Sequence, residues 1–235
     1  MKPLQVVILA GGLGTRLKPL TEQCTKVMVP IHGIPFLEYQ IAYLKKHGFF
    51  HILLLVGYRG HQVEEYFGDG SKWNVTIDYS YEKELLGTGG ALRLAENKLE
   101  NSFVLVNGDT FYPLDYPAFL ERACKIRKGG LIAVYDNIEN VAPNNVCVDA
   151  QGHIVAYSKT SQKKMNGVDG GVSFYYKDIL ECIPLGRKVS LEESVYPLLM
   201  AKEILWAHFT NQRYYDMGTL ERLETLEKHL SPISK

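Results

Sequence analysis

Residues 9 to 21 read LAGGLGTRLKPLT: three glycines, a threonine and an arginine directly behind a short apolar run. Glycines let backbone N–H groups come close to anionic oxygens, and an arginine fork with a lysine point charge neutralises a polyphosphate. Arg16 supplies the fork, and Lys26, ten residues on, supplies the point charge. The plainer alternative is a tight surface turn with solvated cations. The loop's place at the carboxyl end of a buried strand, where open α/β sheets bind ligands, favours a triphosphate site. Two familiar phosphate loops are excluded. A dinucleotide fingerprint counted from Gly12 would need glycine where Leu17 stands, and no G-K-[ST] triplet of a Walker loop occurs.

Two acids complete the candidate chemistry. Asp109 ends the run FVLVNGD, and Asp216 follows RYY. Carboxylates delivered from separate strand ends can share a hard cation such as Mg²⁺, which prefers oxygen ligands and bridges phosphates. Taken singly, either aspartate is equally a helix cap or a turn residue.

These residues need a scaffold, and the chain reads as α/β. Apolar runs of four to six residues alternate with helical patterns, as a parallel or mixed sheet covered by helices requires. The expected strands are QVVILA, HILLLVG, NVTIDYSY, SFVLVNGD and GLIAVYD, the expected helices 35–48, 61–67, a segment capped by Thr88, and 117–128. The texture changes after about residue 140. NVCVDAQGHIVAYS reads as a hairpin turning at Gln151-Gly152, and GGVSFYY and EILWAHF as strands. Ser190 and Glu193 suggest a capping box for a helix running through Met200, and Thr219 caps a last helix ending near Leu230. No repeat or linker interrupts the chain, which gives a single domain over 1–235. Its halves are a nucleotide-binding part to about 136 and a part from about 137 that is expected to carry the partner substrate.

Composition narrows the classes. The 235 residues are 46% hydrophobic and 22% charged, enough for a full core. Lys plus Arg (26) equals Asp plus Glu (26), so no net field draws nucleic acid or anionic lipid, and an anionic ligand needs a local site. Cys24, Cys124, Cys147 and Cys182 have neither zinc nor disulfide spacing, which suits reduced thiols, and the seven histidines show no paired metal spacing. The N-terminal apolar run is too short for a signal or a membrane span, so a cytoplasmic protein is expected. Monomer and homodimer both remain open, with exposed tyrosines such as those in YYKD as interface candidates.

At this point the residues carry a resemblance. LAGGLGTRLKPLT, KVMVPI, PFLEYQI, GTGGAL, VNGD and YYDMGT together resemble the sugar-1-phosphate nucleotidylyltransferase family, whose signature is L-A-[GA]-G-x-G-[TS]-R-[LM] with a following P-K-P. The resemblance spans nearly the whole chain. It implies a Rossmann-like open mixed sheet flanked by helices, of the nucleotide-diphospho-sugar transferase type, with a small sugar-binding lobe. It also implies that Leu9, Ala10, Gly11, Gly12, Gly14 and Thr15 cradle the nucleotide, that Arg16 grips the β and γ phosphates and Lys26 the α phosphate, and that Asp109 and Asp216 hold Mg²⁺. The chain writes T-K-V for P-K-P, which keeps the lysine on a less rigid turn.

Glu82, Gly87 and Thr88 fall in EKELLGTGGAL, similar to the base-reading segment, and its form with Asn107 in VNGDT is nearest to guanylyltransferases for heptose 1-phosphate and mannose 1-phosphate. A capped helix N-terminus there would also offer N–H groups to a ligand. Lys159 aligns with the lysine that meets the sugar phosphate. Asn145, Ser158 and Asp169, the last preceding Gly170, depart from the family's glycine, glutamate and Asn/Thr. The implied reaction is in-line attack of a sugar 1-phosphate on an NTP, GTP favoured, releasing pyrophosphate and an NDP-sugar for capsule or lipopolysaccharide assembly. The alternatives are a uridylyltransferase for an amino-sugar or N-acetylmuramate 1-phosphate, a cytidylyltransferase for a non-sugar phosphate, and a non-catalytic nucleotide-binding module.

Overall fold

The apolar runs become strands whose side chains are buried on both faces of a sheet. A computed structural model describes residues 4–158 and 165–231. Its main strands are β1 (Gln5–Ala10), β2 (His51–Val56), β3 (Thr76–Tyr81), β4 (Ser102–Asn107), β5 (Gly130–Tyr135), β6 (Val168–Tyr176) and β7 (Leu205–Thr210), in the sheet order β7-β5-β6-β4-β1-β2-β3. β1 pairs in parallel with β2 and β2 with β3, with Val6 opposite Ile52 and His51 opposite Thr76. β7 is parallel to β5, whereas β6 is antiparallel to it, so the sheet is mixed. The helices are α1 (Phe36–Lys46), α2 (Gly60–Phe67), α3 (Gly87–Leu94), α4 (Tyr116–Ala123), α5 (Tyr196–Ala201) and α6 (Leu220–His229).

The chain divides into two compact units. The described residues of the first are 4–85, 106–111 and 215–231, and those of the second are 86–105, 112–158 and 165–214. In the first, α1 starts directly after Pro35 and buries Phe36, Leu37, Ile41 and Leu44 on one side, and its last turn carries Lys45 and Lys46, which suits the negative end of its dipole. Leu17, Phe36, Tyr39, Met217 and Leu226 meet in one buried cluster. Fully burying a side chain such as Leu17 is worth about 1.5–3 kcal/mol, and it pins the end of the glycine loop to α1 and α6.

In the second unit, Asp115 caps α4 by accepting a hydrogen bond from Ala118 N, with Pro117 in the first turn. The helix stops at Ala123 rather than near Lys128. Lys125 N and Ile126 N fall back onto the i−3 carbonyls of Arg122 and Ala123, a tightened last turn. The expected hairpin forms, with Val148 opposite Ile154. Its turn is organised by Asp149, whose Oδ1 accepts from Gln151 N and His153 N. The hairpin's tip lies on β7: Ala207 N donates to Gly152 O over 2.8 Å, and the His153 ring sits 3.8 Å from that of Trp206.

Ser190 does cap the segment before α5, accepting from Glu193 N, but residues 191–195 form a wide π turn before the α-helix begins at Tyr196. Pro197 offers no N–H to that turn, which removes one donor from a regular α ladder. Thr219 caps α6 through Arg222 N, as expected. The tyrosines of YYKD are not an exposed pair. Tyr175 is fully buried with its hydroxyl 2.9 Å from that of Tyr196, and Tyr176 is half-buried and donates to Ile126 O. Among the described residues the four cysteines are free thiols and no helix is long and apolar enough to cross a membrane.

Candidate functional site

The glycine loop follows β1 directly. Gly14 takes a left-handed conformation (φ 63°), where a Cβ would be strained and would also meet Thr21 Cγ2 at 2.8 Å. Its carbonyl accepts from Leu17 N and from the buried Thr21 hydroxyl, both at 2.9 Å, so the turn is stapled from within. The amides of Gly12, Thr15 and Arg16 have no hydrogen-bond partner among the described residues. Arg16 is exposed and forms no ion pair among them either. A loop with outward amides and an unengaged guanidinium is suited to an anionic ligand.

The strand end behind it is tightly built. Leu9 O accepts from Gly108 N, and a Cβ at Gly108 would collide with that same carbonyl. Glu82 lies against the backbones of Gly11 and Gly57, where any side chain at either glycine would collide with its carboxylate. Leu9, Ala10, Gly11 and Glu82 therefore meet at the carboxyl ends of β1 and β3.

Lys26 opens a short 3₁₀ turn after extended Thr25, so the turn that lacks the prolines of P-K-P still holds its lysine. Lys26 is 9% exposed, and its Nζ lies 2.5 Å from Asp109 Oδ2. Asp109 Oδ1 accepts from the Thr110 hydroxyl. Gln40, on the buried side of α1, donates its amide to both Asn107 O (2.9 Å) and Thr110 O (2.6 Å), gripping the backbone on either side of Asp109. The sequence reading did not single out Gln40. The one signal for it was a polar residue within the buried stripe of PFLEYQI.

A two-residue ladder brings the second acid alongside. Asp216 stands opposite Thr110, Tyr215 opposite Phe111, and Met217 N donates to Asp109 O over 3.0 Å. Asp216 also keeps its turn role. Its Oδ1 accepts from Gly218 N (2.7 Å), and its Oδ2 pairs with Arg222 (2.9 Å). No group of three or more His, Cys, Asp or Glu side chains able to hold a metal gathers among the described residues. Two neighbouring carboxylates whose set must be completed by phosphate oxygens and water suit Mg²⁺, which resists an all-protein cage.

The remaining candidates lie in the second unit. Thr88 is not the cap of α3, which begins at Gly87 with φ 72°. Its hydroxyl instead accepts from Leu191 N and donates to Glu192 Oε2. Nor are the first amides of α3 all available to a ligand, because Gly89 N and Gly90 N both donate to Val189 O. Glycines at 87, 89 and 90 are required by this approach: a Cβ at Gly87 would stand 2.7 Å from Val189 O, and one at Gly90 2.6 Å from Arg187 O.

Asn145, Ser158, Asp169 and Gly170 do come together. Asp169 N donates to Asn145 Oδ1 (2.9 Å), Ser158 N donates to Asn145 O (2.9 Å), and Tyr157 donates its hydroxyl to Asp169 Oδ2 (3.3 Å). Burial, with the charges of Asp169 and Glu192, pushes the Tyr157 phenol far above its ordinary value. Gly170 packs on the ring of Tyr112, which leaves no room for a Cβ. Tyr112 is 3% exposed, and its hydroxyl has no hydrogen-bond partner among the described residues. Lys159 lies outside the described residues.

Comparison with known proteins agrees with this arrangement. The family model described as nucleotidyl transferase matches residues 5–231. The D-glycero-alpha-D-manno-heptose 1-phosphate guanylyltransferase of Campylobacter jejuni is 34% identical over 221 residues, covering 93% of this chain and 96% of that protein. The mannose-1-phosphate guanylyltransferase of Mycobacterium tuberculosis is 32% identical over 93% of this chain and 62% of its own length. The crystal structure of HddC from Yersinia pseudotuberculosis complexed with GMP-PN superposes with a TM-score of 0.81 at 29% identity, covering 96% of this chain and 99% of that one. With the glycine loop, the buried lysine and the paired acids already in place, a match from the first strand to the last helix settles the kinship: the chain belongs to the nucleotidyl transferase family.

Proposed function

We propose that the chain transfers a guanylyl group from GTP to a manno-configured sugar 1-phosphate, heptose or hexose, giving a GDP-sugar and pyrophosphate. The observation that carries the reading is the glycine loop with unpartnered amides, served by a buried lysine already aimed at Asp109. The names of the relatives, and the GMP-PN complex of a structural neighbour, support guanine and a manno configuration. The product belongs to the class of activated sugars consumed in surface-glycan assembly.

A sugar phosphate is already an anionic nucleophile at neutral pH, so no strong general base is required. The difficulty is bringing two polyanions into line. In this reading the amides of Gly11, Gly12, Gly14 and Thr15 take the β and γ phosphates with Arg16. Lys26 turns its ammonium from Asp109 toward the α phosphate, where negative charge grows during in-line attack. Glu82, Gly87, Thr88 and Asn107, with Leu9 and Ala10, are assigned to the nucleoside. Asn145, Ser158, Lys159, Asp169 and Gly170 serve the sugar phosphate. Asp109 and Asp216 are the residues that would hold Mg²⁺, which when bound neutralises phosphate charge.

The test is pyrophosphate release in Mg²⁺ with each of ATP, CTP, GTP, UTP and dTTP against mannose 1-phosphate, D-glycero-D-manno-heptose 1-phosphate and glucose 1-phosphate. Turnover is expected with GTP and the manno sugars. Preference for UTP or CTP, or nucleotide binding without turnover on any sugar phosphate, would overturn the proposal.

A further inference from the structure

The sequence reading does not single out Glu192, which lies between Ser190 and Glu193 of the expected capping box. In the structure its carboxylate is held with unusual completeness on one side. The Thr88 hydroxyl donates to Oε2 over 3.0 Å, and the Ser190 hydroxyl donates to the same oxygen over 2.7 Å. Neither hydroxyl is free to turn away. Thr88 Oγ1 already accepts from Leu191 N (2.8 Å) and Ser190 Oγ from Glu193 N (3.2 Å), so the one proton of each is committed to Glu192. Oε2 is therefore occupied, while Oε1 has no hydrogen-bond donor among the described residues.

The surroundings of this carboxylate lead to the residues assigned to the acceptor. The charges of Glu192 and of Asp169 both act on the phenols of Tyr157, Tyr175 and Tyr196. Those rings form a continuous set: Tyr157 packs edge-on to Tyr196 at 5.1 Å, Tyr196 shares a hydrogen bond with Tyr175, and Tyr157 donates to Asp169. The Asp169 charge also reaches Tyr112, whose buried hydroxyl has no partner among the described residues. An orphaned buried phenol costs stability unless something else completes it. This one shares its neighbourhood with an anion that a polyhydroxylated ligand would also contact.

We infer that Glu192 is a specificity-determining residue of the acceptor site, its Oε1 receiving a hydroxyl of the sugar while Thr88 and Ser190 hold the carboxylate in place. The inference rests on the guanylyltransferase reading and adds to it the atom that selects among sugars of one phosphate geometry. A fixed acceptor-only group discriminates strongly against a ligand lacking the matching hydroxyl, because the group is then left without its donor.

The experiment couples a change in the protein to a change in the ligand. The full chain, Glu192→Gln and Glu192→Asp are assayed for pyrophosphate release with GTP and mannose 1-phosphate, then with its 2-, 3-, 4- and 6-deoxy analogues. Glu192→Gln is expected to lower kcat/KM for mannose 1-phosphate by about tenfold or more, with the KM for GTP within about twofold of the parent. One deoxy analogue, poor for the parent, should lose most of its penalty in the variant, since the contact it lacks is already gone. Glu192→Asp, which keeps the charge but withdraws it by one methylene, reports the same coupling should the Gln variant fail to fold. Deoxy penalties that are equal in parent and variants overturn the inference while leaving guanylyl transfer intact, as does a rise in the KM for GTP that matches the loss for the sugar. A parent that turns over no sugar phosphate overturns both.

Discussion

Lys26 Nζ and Asp109 Oδ2 are 2.5 Å apart, although 83 residues separate them along the chain. The contact joins the 3₁₀ turn after the glycine loop to the end of β4. The Lys26 side chain is nearly buried whereas that of Asp109 is 34% exposed, so the acid gives the enclosed ammonium an oppositely charged partner at the edge of solvent. A lysine stored on an acid beside a loop of unpartnered amides can be passed to a phosphate at little cost in reorganisation.

Lys26→Ala is expected to lower kcat by about 10²–10³-fold with a much smaller change in the KM for the sugar phosphate, because the lost charge matters most where negative charge develops. Steady-state pyrophosphate release checks this, and near-normal kcat would remove Lys26 from the chemistry.

Divalent metal should be obligatory. Chelation is expected to abolish turnover, and added Mg²⁺ to restore it. Asp216→Asn should raise the Mg²⁺ concentration needed for half-maximal rate by about tenfold, the order seen when one metal-orienting group is lost. Unchanged Mg²⁺ dependence in that variant would assign Asp216 to its turn and to Arg222 alone.

Gly108→Ala drives a methyl into the Leu9 carbonyl, which is fixed in β1 and cannot swing aside. A loss of about 1–3 kcal/mol is expected, as for other forced overpacking. Urea unfolding measures it, and kcat should fall as well because Asp109 is the next residue.

His208 gives a pH signature. Burial lowers its pKa below the ordinary histidine value, Asp115 opposes that shift and Arg122 adds to it. The unfolded chain therefore binds the proton more readily than the folded one. Stability from this group is fully present above the unfolded pKa of roughly 6.5 and is lost as pH falls below it toward the lower folded value. The melting temperature should drop between pH 7.5 and 5.5, and His208→Gln should flatten part of that slope.

Much of this was legible in the sequence because the signals were local. Strands β1, β2, β4 and β5 are uninterrupted apolar runs, and Thr219 and Gly68 punctuate their helices as those residue types do elsewhere. The glycine loop, Lys26 and Asp109 stand out by residue type and by their places behind apolar runs, resemblance assigned their roles, and the fold brings the lysine and the acid into contact. What stayed hidden depends on segments far apart in the chain. Thr88 looks like a cap until Leu191, 103 residues later, claims its hydroxyl. Glu192 is indistinguishable from any exposed glutamate until Thr88 reaches it. Tyr175 reads as half of an exposed pair, and only the register of β6 buries it.

The hairpin tip over β7 has a bearing on how the molecule survives at high concentration. β7 is the last strand of the sheet, and a bare terminal strand presents backbone donors and acceptors to which a foreign segment can add. Here Gly152 already takes the Ala207 amide, and the imidazole of His153 roofs the adjoining indole. The short Asp149–His153 turn thus works as a guard against runaway strand addition, and lengthening it or loosening its aspartate anchor would lay the backbone of that terminal strand open to a second chain.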